Sequence, residues 1–155
     1  MQASSVNVSL SSAELAAWRG MLRLHAALVR DLDAELRAGH DLSLHEYEVL
    51  LTLAEAPEGR MRMSDLAAAI LLSQSGLTRL VDRLVRDGSL ARTRCEVDRR
   101  GLNADLTDAG RRRYLEARVT HLAGVRSRFL DRFDEAEIVL LGGFWERVVP
   151  GATAE

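Results

Sequence analysis

LLSQSGLTRLVDRLVRDGSLARTRCEVDRRGLNADLTDAG, residues 71–110, is the stretch whose reading decides the fold. Ser73 is placed to cap a helix, and Leu77, Leu80, Val81 and Leu84 recur at the three- and four-residue spacing of a buried helical stripe. Gly88 stops it. SLARTR and GLNADL then read as two short strands joined by the turn CEVDRR, and Thr107 restarts a helix. The other face of the first helix carries Gln74, Ser75, Thr78, Arg79, Asp82, Arg83 and Arg86. Asp82 is spaced to pair with Arg86 along that face.

Working outward, MRMSDLAAAI predicts a short helix with Ser64 as its cap and Leu66 and Ile70 inward. The preceding APEGR, residues 56–60, reads as a loop. Ser43 with Glu46 forms a capping-box signature before Leu44, Tyr47, Leu50 and Leu51. The same signature, Ser11 with Glu14, opens a helix of roughly 27 residues, about 40 Å long, that Gly39 ends. Its stripe runs through Leu15, Trp18, Leu22, His25, Val29, Leu32 and Leu36, widened by Met21, Leu24 and Leu28. One small domain cannot cover such a stripe, so a second copy of the chain is expected against it.

Beyond Thr107, Leu115, Leu122, Val125 and Phe129 mark one stripe. Asp134 with Glu137 opens a last helix containing Ile138, Leu141, Phe144, Trp145 and Val148, with Gly142 and Gly143 inside it. The expected class is mainly α with a small β wing (α+β). It reads as one domain over 1–155, with a winged helix-turn-helix at 43–106 and dimerisation helices at 11–38 and 107–149.

Composition excludes several classes. With 155 residues and 47% apolar content the chain is an ordinary globular domain. There is no long apolar run and no leader-like start, so a soluble cytoplasmic protein with no membrane partner is expected. Cys95 is the one cysteine, which leaves no internal disulfide. Net charge is only -2, yet ten arginines face six acidic residues between Arg79 and Arg113, and no lysine occurs anywhere. An arginine-rich outward helix face suits a major groove about 12 Å wide. Ser73, Gln74 and Ser75 stand where helix-start N–H groups receive phosphate, and Thr78, Arg79 and Arg83 where base edges are within reach.

The motifs S-x-S-G-x-T-R-L-V-D-R-L-x-x-x-G from Ser73, D-R-R at Asp98 to Arg100, and L-T-x-x-G from Leu106 to Gly110 occur together and in this order. In that combination the chain resembles the MarR family of dimeric winged-helix transcription regulators over about residues 12–149. The resemblance implies that Asp98 orients Arg100 at the wing tip into a minor groove, with Arg99 beside it as a phosphate or tip contact. An adjacent carboxylate fixing a guanidinium, and an arginine in a narrow negative groove, are physically consistent with that role. A homodimer binding a pseudo-palindromic double-stranded DNA operator is the expected function, as a repressor released by a small, often aromatic, organic ligand.

The resemblance places the effector where the dimerisation helices meet the winged domain, lined by Trp18, Met21, His25 and Tyr47, with Met61 and Met63 near. Each also has a structural reading, as a core or interface side chain. No cofactor or metal is expected, because His25, His40, His45 and His121 show no ligand spacing with Cys95. Cys95 lacks the first-helix position of the oxidant-sensing branch, and its arginine neighbours would activate its thiol only if it were exposed. No hydrolase, nucleotide-binding or metalloprotease motif occurs, which argues against an enzyme. The competing class is a winged-helix protein-interaction module or anti-repressor that has lost DNA binding.

Overall fold

The structure is a computed structural model that describes residues 9–95 and 101–151. Helix α1 runs Ser12–His40 and α2 Leu44–Glu55. A 3-10 turn at Pro57–Gly59 leads into strand β1, Arg60–Arg62, and then α3, Met63–Ala69. Helix α4 is Gln74–Arg86, and the wing strands β2 and β3 are Leu90–Arg94 and Leu102–Leu106. Helix α5, Asp108–Arg128, and α6, Glu135–Val148, close the chain.

The capping boxes at Ser11–Glu14, Ser43–Glu46 and Asp134–Glu137 all form, and Thr107 caps α5 through the Gly110 amide. Gly39, however, does not end α1. The helix continues to His40, and Asp41 closes it in the left-handed region, φ 50°, its N–H donating to the Arg37 and Leu36 carbonyls. Aspartate tolerates that conformation better than most residues. Ser64 is likewise inside α3 rather than its cap; Arg62 holds the cap position with no side-chain bond.

The third strand starts at Arg60, the last residue of the stretch read as a loop, and takes Met61 and Arg62 from the stretch read as helix, while Pro57–Gly59 form a 3-10 turn. The sheet order is β1-β3-β2, antiparallel throughout, with Met61 opposite Ala104 and Leu90 opposite Leu106. Its register ties the strand before the helix-turn-helix to the wing that follows it.

The core lies between α2, α4 and the sheet: Val49, Leu50, Leu53, Leu66, Leu77, Val81, Leu84 and Ala104 are fully buried. From α1 only Leu32 and Leu36 are buried. Its N-terminal half leaves Trp18 and Leu22 about half exposed. The stripe expected on α5 is rotated. Tyr114, Ala117 and Gly124 face the core, while Leu115 and Leu122 are exposed. Helix α6 buries no side chain at all within the chain.

Candidate nucleic-acid interface

Helix α4 is held by one face and presents the other. Leu77, Val81 and Leu84 are sealed in the core, so Gln74, Ser75, Thr78 and Arg79 point outward and are exposed. Ser73 starts the helix in extended backbone, and its Oγ accepts the Gly76 N–H at 3.2 Å and lies 3.3 Å from Ser75 Oγ. It acts as a cap, and the first-turn amides beside it have no intrahelical acceptor. Thr78 donates its hydroxyl to the Gln74 carbonyl at 2.8 Å, which restrains its side chain. Arg79 makes no ion pair or side-chain hydrogen bond with another described residue, so its guanidinium fork is available to a partner.

Arg83 departs from the expected set. Its Nη2 donates to the Asp41 carbonyl at 3.0 Å and lies 3.1 Å from that residue's carboxylate, while its Nε is 3.2 Å from Glu46 Oε1. It is turned onto the protein at the α1–α2 corner. Asp82 does not pair with Arg86 either. Its carboxylate takes Arg92 Nη1 from β2 at 2.6 Å, joining helix to wing, and Arg86 Nε donates to the Asp82 carbonyl. Thr93 and Arg60 both bond the Asp105 carboxylate, crossing all three strands. The wing-tip residues Asp98, Arg99 and Arg100 lie outside the described residues.

Between α3, α4 and the wing lies a cleft of about 380 Å³ lined by Arg62, Met63, Ser64, Gln74, Thr78 and Arg92. Sequence reasoning missed Arg62 and Ser64 as members of this surface, because β1 was not visible as a strand. Arg62 is half-buried and, like Arg79, unpaired among the described residues.

Of the four residues expected to line an effector site, Tyr47 is set apart from the other three by burial. Tyr47 is 2% exposed and stacks between Tyr114 and His121, ring centroids 5.8 and 4.4 Å away. Burial pushes its phenol up to about 12. Trp18, Met21 and His25 sit on the exposed half of α1. Met61 packs against the core and only Met63 reaches the cleft. Cys95 is buried, 8% exposed, so the exposed thiol that a redox role requires is absent. His40 bonds Thr120 at 2.7 Å and His45 bonds Glu48 at 2.8 Å. No cluster of three or more metal-ligating side chains occurs among the described residues, and no described helix is long and apolar enough to cross a membrane.

Comparison with known proteins agrees with this geometry. The sequence profile of the MarR family matches residues 40–101. The crystal structure of AbsC, a MarR family transcriptional regulator from Streptomyces coelicolor, is 32% identical with a TM-score of 0.85, covering 95% of this chain and 99% of that one. Sco3205, a MarR family regulator from the same organism solved in complex with DNA, is 31% identical with a TM-score of 0.86, over 92% and 93% of the two chains. The transcriptional repressor YetL of Bacillus subtilis is 27% identical over 114 residues, 72% of this chain and 68% of its own. With the helix-turn-helix, the three-stranded wing and full-length similarity to AbsC in place, the chain belongs to the MarR family of transcriptional regulators.

Proposed function

We propose that the chain is a cytoplasmic, sequence-specific double-stranded DNA-binding repressor that works as a homodimer on a pseudo-palindromic operator. The observation that carries this reading is α4, anchored by Leu77, Val81 and Leu84 and presenting Gln74, Ser75, Thr78 and an uncommitted Arg79. Amides and hydroxyls at a helix start position phosphates, and an arginine one turn in forks onto a guanine edge. Sco3205 in complex with DNA supports the reading by analogy of fold. The dimer is supported by the exposed Trp18, Leu22, Leu115, Leu122, Phe144 and Trp145, more apolar surface than a soluble monomer leaves open.

Release by a small organic anion is the regulatory half of the proposal. The cleft against Gln74 and Thr78 offers Arg62 for a carboxylate and Met63 as an apolar wall, with Arg92, paired to Asp82, adding positive charge beside it. A ligand there would compete for the groove-facing side of α4. Selection of bound duplexes from a random DNA library tests the function: an enriched inverted repeat is expected, and no enrichment over input would end the reading. Titrating the selected duplex off with aromatic acids tests the release step. Sensitivity of that release to Arg62→Ala places it at the cleft.

A further inference from the structure

The corner between α1 and α2 is held from outside by two arginines. Helix α1 leaves its last carbonyls without intrahelical donors and carries the negative end of its dipole there. Arg113 of α5 donates through Nη2 to the His40 and Asp41 carbonyls at 3.1 and 3.0 Å, with Nη1 2.5 Å from Asp87. Arg83 of α4 donates to the same Asp41 carbonyl and approaches the Asp41 carboxylate. The recognition helix therefore caps the C-terminus of the long first helix.

Glu46 makes the attachment directional. It is 1% exposed, and its Oε2 accepts from the Ser43 amide at 2.7 Å and hydroxyl at 2.8 Å. Its Oε1 makes no hydrogen bond, and Arg83 Nε, at 3.2 Å but misaligned for one, is the charge that offsets it. A buried ion pair is a poor way to add stability, since apolar side chains of similar volume serve as well or better. What it adds here is an angle: a planar fork held between Asp41 and Glu46 fixes the roll of α4. Arg83 lies four residues beyond Arg79, on nearly the same stripe of the helix. Holding one sets the direction of the other.

We infer that Arg83 is a positioning residue that ties the reading helix to the dimer platform through Asp41 and Glu46, and thereby sets the half-site spacing the dimer accepts. This rests on the function proposed above. In a two-fold dimer the separation of the two reading helices must match a helical turn of DNA, and the exposed apolar half of α1 belongs to the surface proposed above to meet the second subunit. An anchor between α1 and α4 converts dimer geometry into operator geometry.

The test uses the full-length protein and its selected duplex, remade with spacers two base pairs shorter to two longer between the half-sites. The parent is expected to prefer one spacer. Arg83→Lys keeps the charge but cannot bridge Asp41 and Glu46, and Glu46→Gln alters only the buried partner. Both are expected to lower the preference for that spacer by about tenfold, the scale of one lost charged contact, with an unchanged salt slope. Arg83→Met, in contrast, removes the charge and keeps the stem. If it lowers the salt slope while spacer preference survives and Glu46→Gln is silent, Arg83 is a phosphate contact and the inference is overturned. Should Glu46→Gln fail to fold, Arg83→Lys with Asp41→Asn carries the same comparison. A parent that prefers no duplex sequence sinks the proposed function instead.

Discussion

A side-chain carbon on Gly110 would sit 2.0 Å from the carbonyl oxygen of Ser89 and 2.9 Å from the Leu106 side chain. The first turn of α5 is pressed onto the residue that enters the wing, where Ser89 also accepts from the Thr107 amide and hydroxyl. The glycine of the L-T-x-x-G motif is thus a contact requirement. Gly110→Ala is expected to destabilise the fold by about 3 kcal/mol through overpacking. Urea unfolding measures it, and a loss below 1 kcal/mol would mean the two segments separate easily.

Leu71 presents the opposite case. It closes α3 in a Schellman arrangement, its N–H donating to Ala68 and the Leu72 N–H to Ala67, with φ 55° and 90% of its surface exposed. A leucine there carries left-handed strain and packs on little. Leu71→Gly relieves about 1–2 kcal/mol of strain, less the entropy glycine adds to the unfolded chain, for a net gain of about 0.5–1 kcal/mol. A higher urea midpoint at constant m-value is the expected result.

Arg79→Ala is expected to cost about 1–3 kcal/mol on the selected duplex and to flatten discrimination at one base pair in each half-site. Titration against single-position variants of the duplex reads both effects. A uniform loss over all variants would assign Arg79 to phosphate.

Asp98 gives a prediction whose sign separates two mechanisms. Simple charge counting makes Asp98→Ala bind DNA more tightly, because a negative charge is removed. An orienting role toward Arg100 makes it bind more weakly, with the largest loss at A·T-rich flanks where the minor groove is narrow. Weaker binding is expected, matching Arg100→Ala in direction, when both are titrated at one salt concentration.

His121 supplies a pH dependence. Burial holds its imidazole below the ordinary value of 6.5, only partly opposed by Glu48, and Nδ1 is buried without a hydrogen bond. The unfolded chain therefore binds the proton more readily than the folded one. This stabilisation is complete above 6.5 and is lost as pH falls from there toward the depressed folded value. Tm is expected to decline over that window in the parent and to decline less in His121→Phe, which keeps the stack on Tyr47. Parallel curves for the two proteins would remove His121 from the account.

The parts legible in the sequence are those fixed by near neighbours. A cap and its partner three residues on, as at Ser43 and Glu46, carry their own geometry, and the stripe of α4 follows from its spacing. The end of α1 was misplaced because Asp41 is held by arginines 42 and 72 residues further on. Strand β1 escaped notice for the same reason: its three residues are defined by pairing with β3. On α5 the apolar spacing picks out the stripe through Leu115 and Leu122, whereas the chain's own core is met by Tyr114, Ala117 and Gly124, small or polar-tipped residues that carry no apolar periodicity. The partners of Arg83 were not legible because an arginine on a polar face looks the same in sequence whether it points to solvent or to Asp41.

Helix α6 has fourteen residues and none of them buried within its own chain. A helix of that length is marginal in water without tertiary packing, so its order must come from association. Stability then becomes a function of concentration, and Tm should rise with the amount of protein in the cuvette. The same coupling reaches the genome. Below the dissociation constant of the pair, the DNA-competent species grows with the square of chain concentration, so a twofold change in synthesis changes operator occupancy by more than twofold. A regulator built this way responds to its own abundance more steeply than in proportion.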